Sequence, residues 1–457
     1  MRPALEIARR ELKDNVATWK LPLAMLLTTV LLLAGVLSLS ASYRDETRAH
    51  DLVQDEYAAR EQENEPPALV HRFLGRPQPT TLLVGGPAEA VREAVASAPV
   101  VTNDTARERQ DPLRLRFAPT DLGTVGVGIL SLLAILVAYD GVCGEKERGT
   151  LKLLLINPLT RGDVLLGKYL GAMTTVLLPL GVAVALAVPL MAAMGVRFDP
   201  SDYGRLLLVL LALVVFLSAV VLLALGVSAL TTRSSVSILA LSTLWLVLVA
   251  GAGSLAAFAA TVEPEGRGAD EVLQELRILH ASYDERRAEA AAEAAALQRK
   301  NESQGGTLTP AEAARLRAVQ AELAELPSLE AEDERALLEG YLKGRELDHQ
   351  QAEAIAAVSP AEAFRSAAQR LARTDYGAAR DRLDEFSAYL RELDDLRREH
   401  AASGRANDTF EPPAFRNAPV TTGRDLGRAA PFLGALALQN AAALALAMVA
   451  FGRYDVR

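Results

Sequence analysis

Six stretches of apolar residues, almost free of charge, lie near 21–42, 119–142, 169–194, 205–230, 236–261 and 429–451, and they limit what the chain can become. About 20 such residues in a helix cross a hydrocarbon core of about 30 Å. Backbone amides in lipid must be satisfied within their own segment, so uninterrupted runs of this kind are helices. The expected fold is an all-α polytopic membrane protein with six transmembrane helices. Between the fifth and sixth, residues 262–428 are expected to form a mostly helical extracytoplasmic domain.

Half of the 457 residues are apolar and the net charge is -9. The acidity sits in the polar insertions, so it argues for no nucleic-acid partner. Cys143 is the only cysteine, which excludes an intrachain disulfide and a cysteine-built metal cluster. The first apolar run is too long for a signal-peptide core and reads as a retained anchor.

Short loops rich in Lys and Arg stay in the cytoplasm. Arg2, Arg9, Arg10, Lys13 and Lys20 precede the first run; Lys146, Arg148, Lys152, Arg161 and Lys168 lie between the second and third; Arg233 follows the fourth; Arg453 and Arg457 close the chain. Both termini, 1–20 and 452–457, are therefore expected in the cytoplasm, with segments 43–118 and 262–428 outside. Residues 1–20 alternate apolar and basic positions at helical spacing, which suits an amphipathic helix on the membrane surface.

The cytoplasmic segment 143–168 contains an unusual knot, Glu145-Lys146-Glu147-Arg148-Gly149-Thr150, followed by Leu151, Leu153, Leu154, Leu155 and Ile156 and then Pro158. Gly149 and Thr150 suit a helix break and a new N-cap, and Pro158 ends the short apolar helix. Thr160 with Asp163 reads as the cap of the third span. So apolar a helix on the cytoplasmic side marks either a partner-binding face or a loop lying on headgroups.

The stretch from Asp140 to Ala172, "DGVCGEKERGTLKLLLINPLTRGDVLLGKYLGA", resembles the signature between the second and third spans of ABC-2-type permeases, the transmembrane subunits of ATP-driven exporters. Ser359 to Leu390 is similar to the extracytoplasmic region of the branch that includes gliding-motility and nitrous-oxide-reductase maturation permeases. The resemblance implies that Glu145, Lys146, Glu147, Arg148, Gly149 and Thr150 dock a cytosolic ABC ATP-binding subunit. Leu151, Leu153, Leu154, Leu155 and Ile156, ended by Pro158, would be the coupling face. It also implies a second permease copy, identical or different, in a bacterial cytoplasmic membrane. No GxxxxGK[ST] loop is present, since Gly167-Lys168 is followed by Tyr169, so the chain is not itself the ATPase. No cofactor is expected to bind directly; ATP and Mg would act through the partner subunit.

Residues 262–428 are rich in Ala, Glu, Arg and Leu, and helices are expected near 269–301, 310–325, 328–357, 360–373 and 376–402. Leu273, Leu276, Leu279 or His280, and Tyr283 form an apolar stripe suited to an antiparallel helical hairpin or coiled coil. This region would be an arm for an envelope protein, a lid, or an insertion packed on itself. "TTLLV" at 80–84 reads as a short strand. Within the apolar runs, Asp140 is expected to cap the knot, and Gln439 and Asn440 either line a substrate path or bond between helices. Gly251 and Gly253 would permit close packing at a dimer seam. Two functions remain open on sequence alone: export, or mechanical transmission to an envelope partner without a transported substrate.

Overall fold

A computed structural model of the chain describes residues 2–62, 79–86, 121–151, 160–253, 268–303, 309–402 and 422–453. Among them the regular structure is helical, with no strand. The helices are α1 (Arg2–Ala17), α2 (Lys20–Gln62), α3 (Leu122–Thr124, a π-type stretch Val125–Leu130, and Ser131–Ala138) and α4 (Cys143–Glu147). Then come α5 (Arg161–Ala193), α6 (Pro200–Leu230) and α7 (Ser234–Trp245, extended by a π-type stretch Leu246–Gly251). The remainder are α8 (Ala269–Ser303), α9 (Pro310–Ala356), α10 (Pro360–Ala372), α11 (Tyr376–Ala402) and α12 (Thr422–Gly452).

Five described helices are long and apolar enough to cross a membrane: Lys20–Asp45, Leu122–Glu147, Arg161–Ala193, Pro200–Leu230 and Thr422–Gly452. The chain is thus an all-α polytopic membrane protein. The run at 236–261 is shorter where described, an apolar helix over Ser234–Val249. Caps set the helix starts. Thr160 and Asp163 form a capping box at α5, Asp199 and Asp202 at α6, and Thr309 and Glu312 at α9, each pair closing free N–H groups of the first turn.

Three local expectations differ from the structure. Residues 79–82 form a 3₁₀ turn instead of a strand, and its neighbours Leu82, Leu83 and Val84 are buried against the spans. The expected pair of helices at 310–325 and 328–357 is one helix, α9, which runs through Pro327. Proline removes one ladder bond, but Leu326 beside it is fully buried, so tertiary packing carries the helix across the gap. Gly253, expected to permit close packing between helices of a dimer, makes a close approach within this chain: a methyl there would stand 2.8 Å from Glu362 Oε1.

The largest departure concerns α10, which the sequence assigns with the rest of 262–428 to the outer domain. It packs between α6 and α12 among the apolar helices. Phe364 stacks on Phe216 with ring centroids 5.4 Å apart. Phe216 lies 14 residues from the end of α6, about 20 Å along the helix. Gln439 Nε2 donates to the carbonyls of Ala357 (2.8 Å) and Val358 (3.1 Å), and Ser359 Oγ donates to Leu248 O. Asn440 Nδ2 donates to Val215 O at 2.9 Å and Leu436 O at 3.0 Å. These two amides therefore join helices and satisfy a loop that enters the bundle, where bare carbonyls would otherwise be costly.

At its far end α10 meets a charged layer. Arg205 pairs with Asp202 (2.9 Å) and Asp425 (3.5 Å), and Arg373 approaches Asp425 at 3.9 Å. Asp381 receives Arg424 (2.9 Å) and Arg428 (2.8 Å). Arg373 itself adopts a left-handed φ of 59°, turning the chain from α10 to α11.

Phe364→Ala should cost about 3–5 kcal/mol, the usual loss for a fully buried aromatic ring. Thermal unfolding of the detergent-solubilised protein reads this as a clear drop in midpoint, whereas Leu438→Ala on the exposed face of α12 should leave the midpoint nearly unchanged.

Candidate functional site: the charged knot

The knot begins where α3 ends. Gly144 N–H bonds to Asp140 O at 2.9 Å, and α4 carries Glu145, Lys146 and Glu147 on successive sides of one short turn. Consecutive helical residues point about 100° apart. Three neighbouring charges can therefore reach three different helices, and here they do.

Glu145 Oε1 accepts from Lys168 Nζ at 2.7 Å, and the same Nζ donates to Glu11 Oε1 at 2.7 Å. Lys168 is only 3% exposed, so one buried ammonium joins α4, α5 and α1. Lys146 Nζ donates to the carbonyls of Ala229 and Thr231 (3.1 Å to Thr231), the C-terminal end of α6. Glu147 Oε2 accepts from Ser234 N (3.2 Å) and Ser234 Oγ (2.8 Å), the first residue of α7. A cation thus sits on a helix C-terminus and an anion on an N-terminus, the favourable polarity for both helix dipoles.

Other groups complete the plate. Ser228 Oγ accepts the N–H groups of Val142 (3.1 Å) and Cys143 (3.0 Å). Arg161 donates to Phe451 O at 3.1 Å and to Gly452 O, closing the end of α12. Leu151 is fully buried with Val142, Val164, Ala229, Ala450 and Phe451. Asp140 does not cap the knot with its side chain: Oδ1 accepts from Lys20 Nζ at 3.0 Å and fixes the start of α2.

The N-terminal helix is packed as well as amphipathic. A methyl on Gly167 would lie 2.6 Å from Ile7 Cβ, and one on Gly171 would lie 2.7 Å from Glu11 Cβ. The two glycines are four apart, so together they form a groove on α5 that admits the α1 backbone. Asn15 Nδ2 donates to Thr175 Oγ1 at 3.0 Å higher on the same face. Arg9, Arg10 and Lys13 remain exposed on the opposite side.

The expected docking residues therefore divide. Glu145, Lys146 and Leu151 are spent on contacts within the chain, and Glu147 is tied to α7 although it stays exposed. Arg148, Gly149 and Thr150 face outward. Gly149 holds a φ of 71°, a conformation that favours glycine, and this reverses the chain after α4. Leu153, Leu154, Leu155, Ile156 and Pro158 lie outside the described residues. Lys168, Glu11, Lys20 and Arg161 were read from sequence only as orienting charges or not at all. Among the described residues no group of three or more His, Cys, Asp or Glu side chains is placed to hold a metal ion.

The sequence profile described as ABC-2 family transporter protein matches residues 5–456. A probable ABC transporter permease protein NosY of Pseudomonas aeruginosa is 52% identical over 50 residues, 11% of this chain and 18% of that protein. The protein of the same name from Stutzerimonas stutzeri is 50% identical over 50 residues with the same shares. The chain thus aligns with less than a fifth of the length of either relative.

Lys168→Met leaves two half-buried carboxylates without their cation, and should cost about 3 kcal/mol. The triple change Lys168→Met, Glu11→Gln, Glu145→Gln removes the stranded charges and should restore most of the loss. Thermal unfolding of the three proteins, wild type included, measures both effects; a triple variant no more stable than the single one contradicts the assignment.

Proposed function

Since the chain belongs to the ABC-2 family of transporters, we propose that it is a permease subunit whose knot takes up force from a separate cytosolic ATP-binding subunit. The observation that carries the proposal is the plate at the cytoplasmic ends of the helices. One turn of six residues touches α5, α6 and α7 and reaches α1 through Lys168, and Leu151 adds α12. A push on that turn cannot move one helix alone. Its outward residues, Arg148 to Thr150, and the apolar stretch that follows would supply the contact, with charge for orientation and leucine for affinity.

In this reading, both termini and the knot face the cytoplasm of a bacterial inner membrane, and two permease copies work with two ATP-binding subunits. ATP and Mg are held by those subunits. Closure of the ATPase pair would displace the plate and tilt the spans attached to it. The cargo, where there is one, would be exported between the two copies.

The inserted α10 favours a second outcome of the same motion. It is bonded to α6, α7 and α12 in mid-bundle and continues through the Arg/Asp layer into α11. Tilting of α6 or α12 would therefore be passed to the outer helices, which suits mechanical action on an envelope partner without a transported substrate.

Tagged protein purified in mild detergent should bring down an ATP-binding subunit. Leu154→Asp should weaken that association by about 30-fold or more, the effect of losing a contact worth about 2 kcal/mol. An unchanged yield of the subunit with the variant contradicts docking at the knot.

A further inference from the structure

The hairpin of α8 and α9 lies in the part of the chain that no motif explains, and one cluster in it is built differently from its surroundings. Most of its seam is Val, Leu, Ala and Tyr. Between the two apolar patches, buried His280 of α8 meets α9 one turn beyond Pro327. His280 Nδ1 lies 2.9 Å from Glu330 Oε1, and Nε2 lies 3.8 Å from Glu334 Oε1. Glu334 is 1% exposed. Further charged groups flank the cluster. From α8, Arg287 reaches Glu330 (2.6 Å) and Asp284 (2.9 Å), and Tyr283 donates to Asp333 at 2.6 Å. From α9 come Glu330, Asp333 and Glu334.

Pro327 supplies the other half of the geometry. The missing N–H leaves α9 with one bond fewer in its ladder at that turn, which is where helices bend. Glu330 and Glu334 lie three and seven residues further on, and on the other side of Pro327 Glu322 approaches Arg286 of α8 at 4.0 Å.

We propose that the outer hairpin carries a proton-sensitive clamp, in which His280 in its charged form holds α9 closed on α8 beside the hinge at Pro327. The ligand is the proton itself. A charged imidazole donates from both nitrogens and offsets both carboxylates. Once neutral, it leaves Glu330 to Arg287 alone and sets an uncharged ring against the buried Glu334.

The hydrogen bond to Glu330 raises the affinity of His280 for its proton above the ordinary value, against the effect of burial. A folded-state value above the unfolded one means that the clamp is fully formed below the ordinary histidine value near 6.5 and is lost as pH rises through the raised one. Burial alone would raise the Glu330 carboxyl, but His280 and Arg287 hold it below the usual range, so the clamp fails on the acid side only when that group is protonated. This inference does not depend on the ATPase reading, because it concerns the hairpin by itself.

Hydrogen exchange of the full chain in phosphatidylcholine nanodiscs tests it. Protection factors for 319–334 are compared at about pH 5.5 and about pH 8.5, either side of the ordinary histidine value. Each is corrected for intrinsic exchange and referenced to α6. Wild-type protection should fall at the higher pH, as the charged imidazole is lost. His280→Gln should show the low protection at both values, and His280→Arg, permanently charged, should keep the high one. Equal wild-type protection at the two pH values overturns the clamp without recourse to any variant. A pH response that survives in His280→Gln also overturns it.

Discussion

Lys168 is the interaction on which the knot end of the helix bundle depends. An ammonium group 3% exposed between two carboxylates would be costly if either partner were missing, and a close approach of α1 to α5 is needed to bring the second one in. Gly167 and Gly171 provide that approach. The same lysine then fixes Glu145, and with it the turn whose next two charges cap the ends of α6 and α7. Small residues, a buried cation and helix-end electrostatics are thus successive conditions for one rigid plate.

At the other end the constraint is different. The loop at 357–359 enters the bundle, and lipid offers its carbonyls no hydrogen bonds. Gln439 donates to two of them, Ser359 Oγ ties the loop to Leu248 O, and Phe364 fills the space against Phe216. The outer Arg/Asp layer then ties α10 to the beginnings of α6 and α12. The spans are therefore held at the charged plate and again around α10, which gives a displacement at one end a physical route to α11.

The helical, membrane-spanning fold was legible because apolar length is a local signal. The caps at Thr160, Thr309 and Ser359 were legible for the same reason, since each depends on residues within one turn. The charged knot stood out, yet its side chains face other elements than expected. Glu145, Lys146 and Glu147 read as docking charges until Lys168, Ala229 and Ser234 are seen beside them, and no spacing reveals partners 23 to 87 residues away. The insertion of α10 was hidden for a related reason. Its sequence is amphipathic and alanine-rich, as a surface helix would be, and only Gln439 and Asn440 on another helix hinted that something polar had to be met in the bundle. Pro327 misled in the opposite direction, because packing around Leu326 outweighs one missing bond.

The account rests on the claim that the inward charges of the knot build the plate while its outward residues receive the partner. Site-specific photocrosslinking in intact cells separates these roles, with a photoreactive residue placed at Arg148 in one strain and at Glu11, on the inner side of the plate, in another. The account predicts a crosslink from position 148 to an ATP-binding subunit, and from position 11 only crosslinks within the permease chain. A subunit captured from position 11 but not from 148, or from neither, would contradict it.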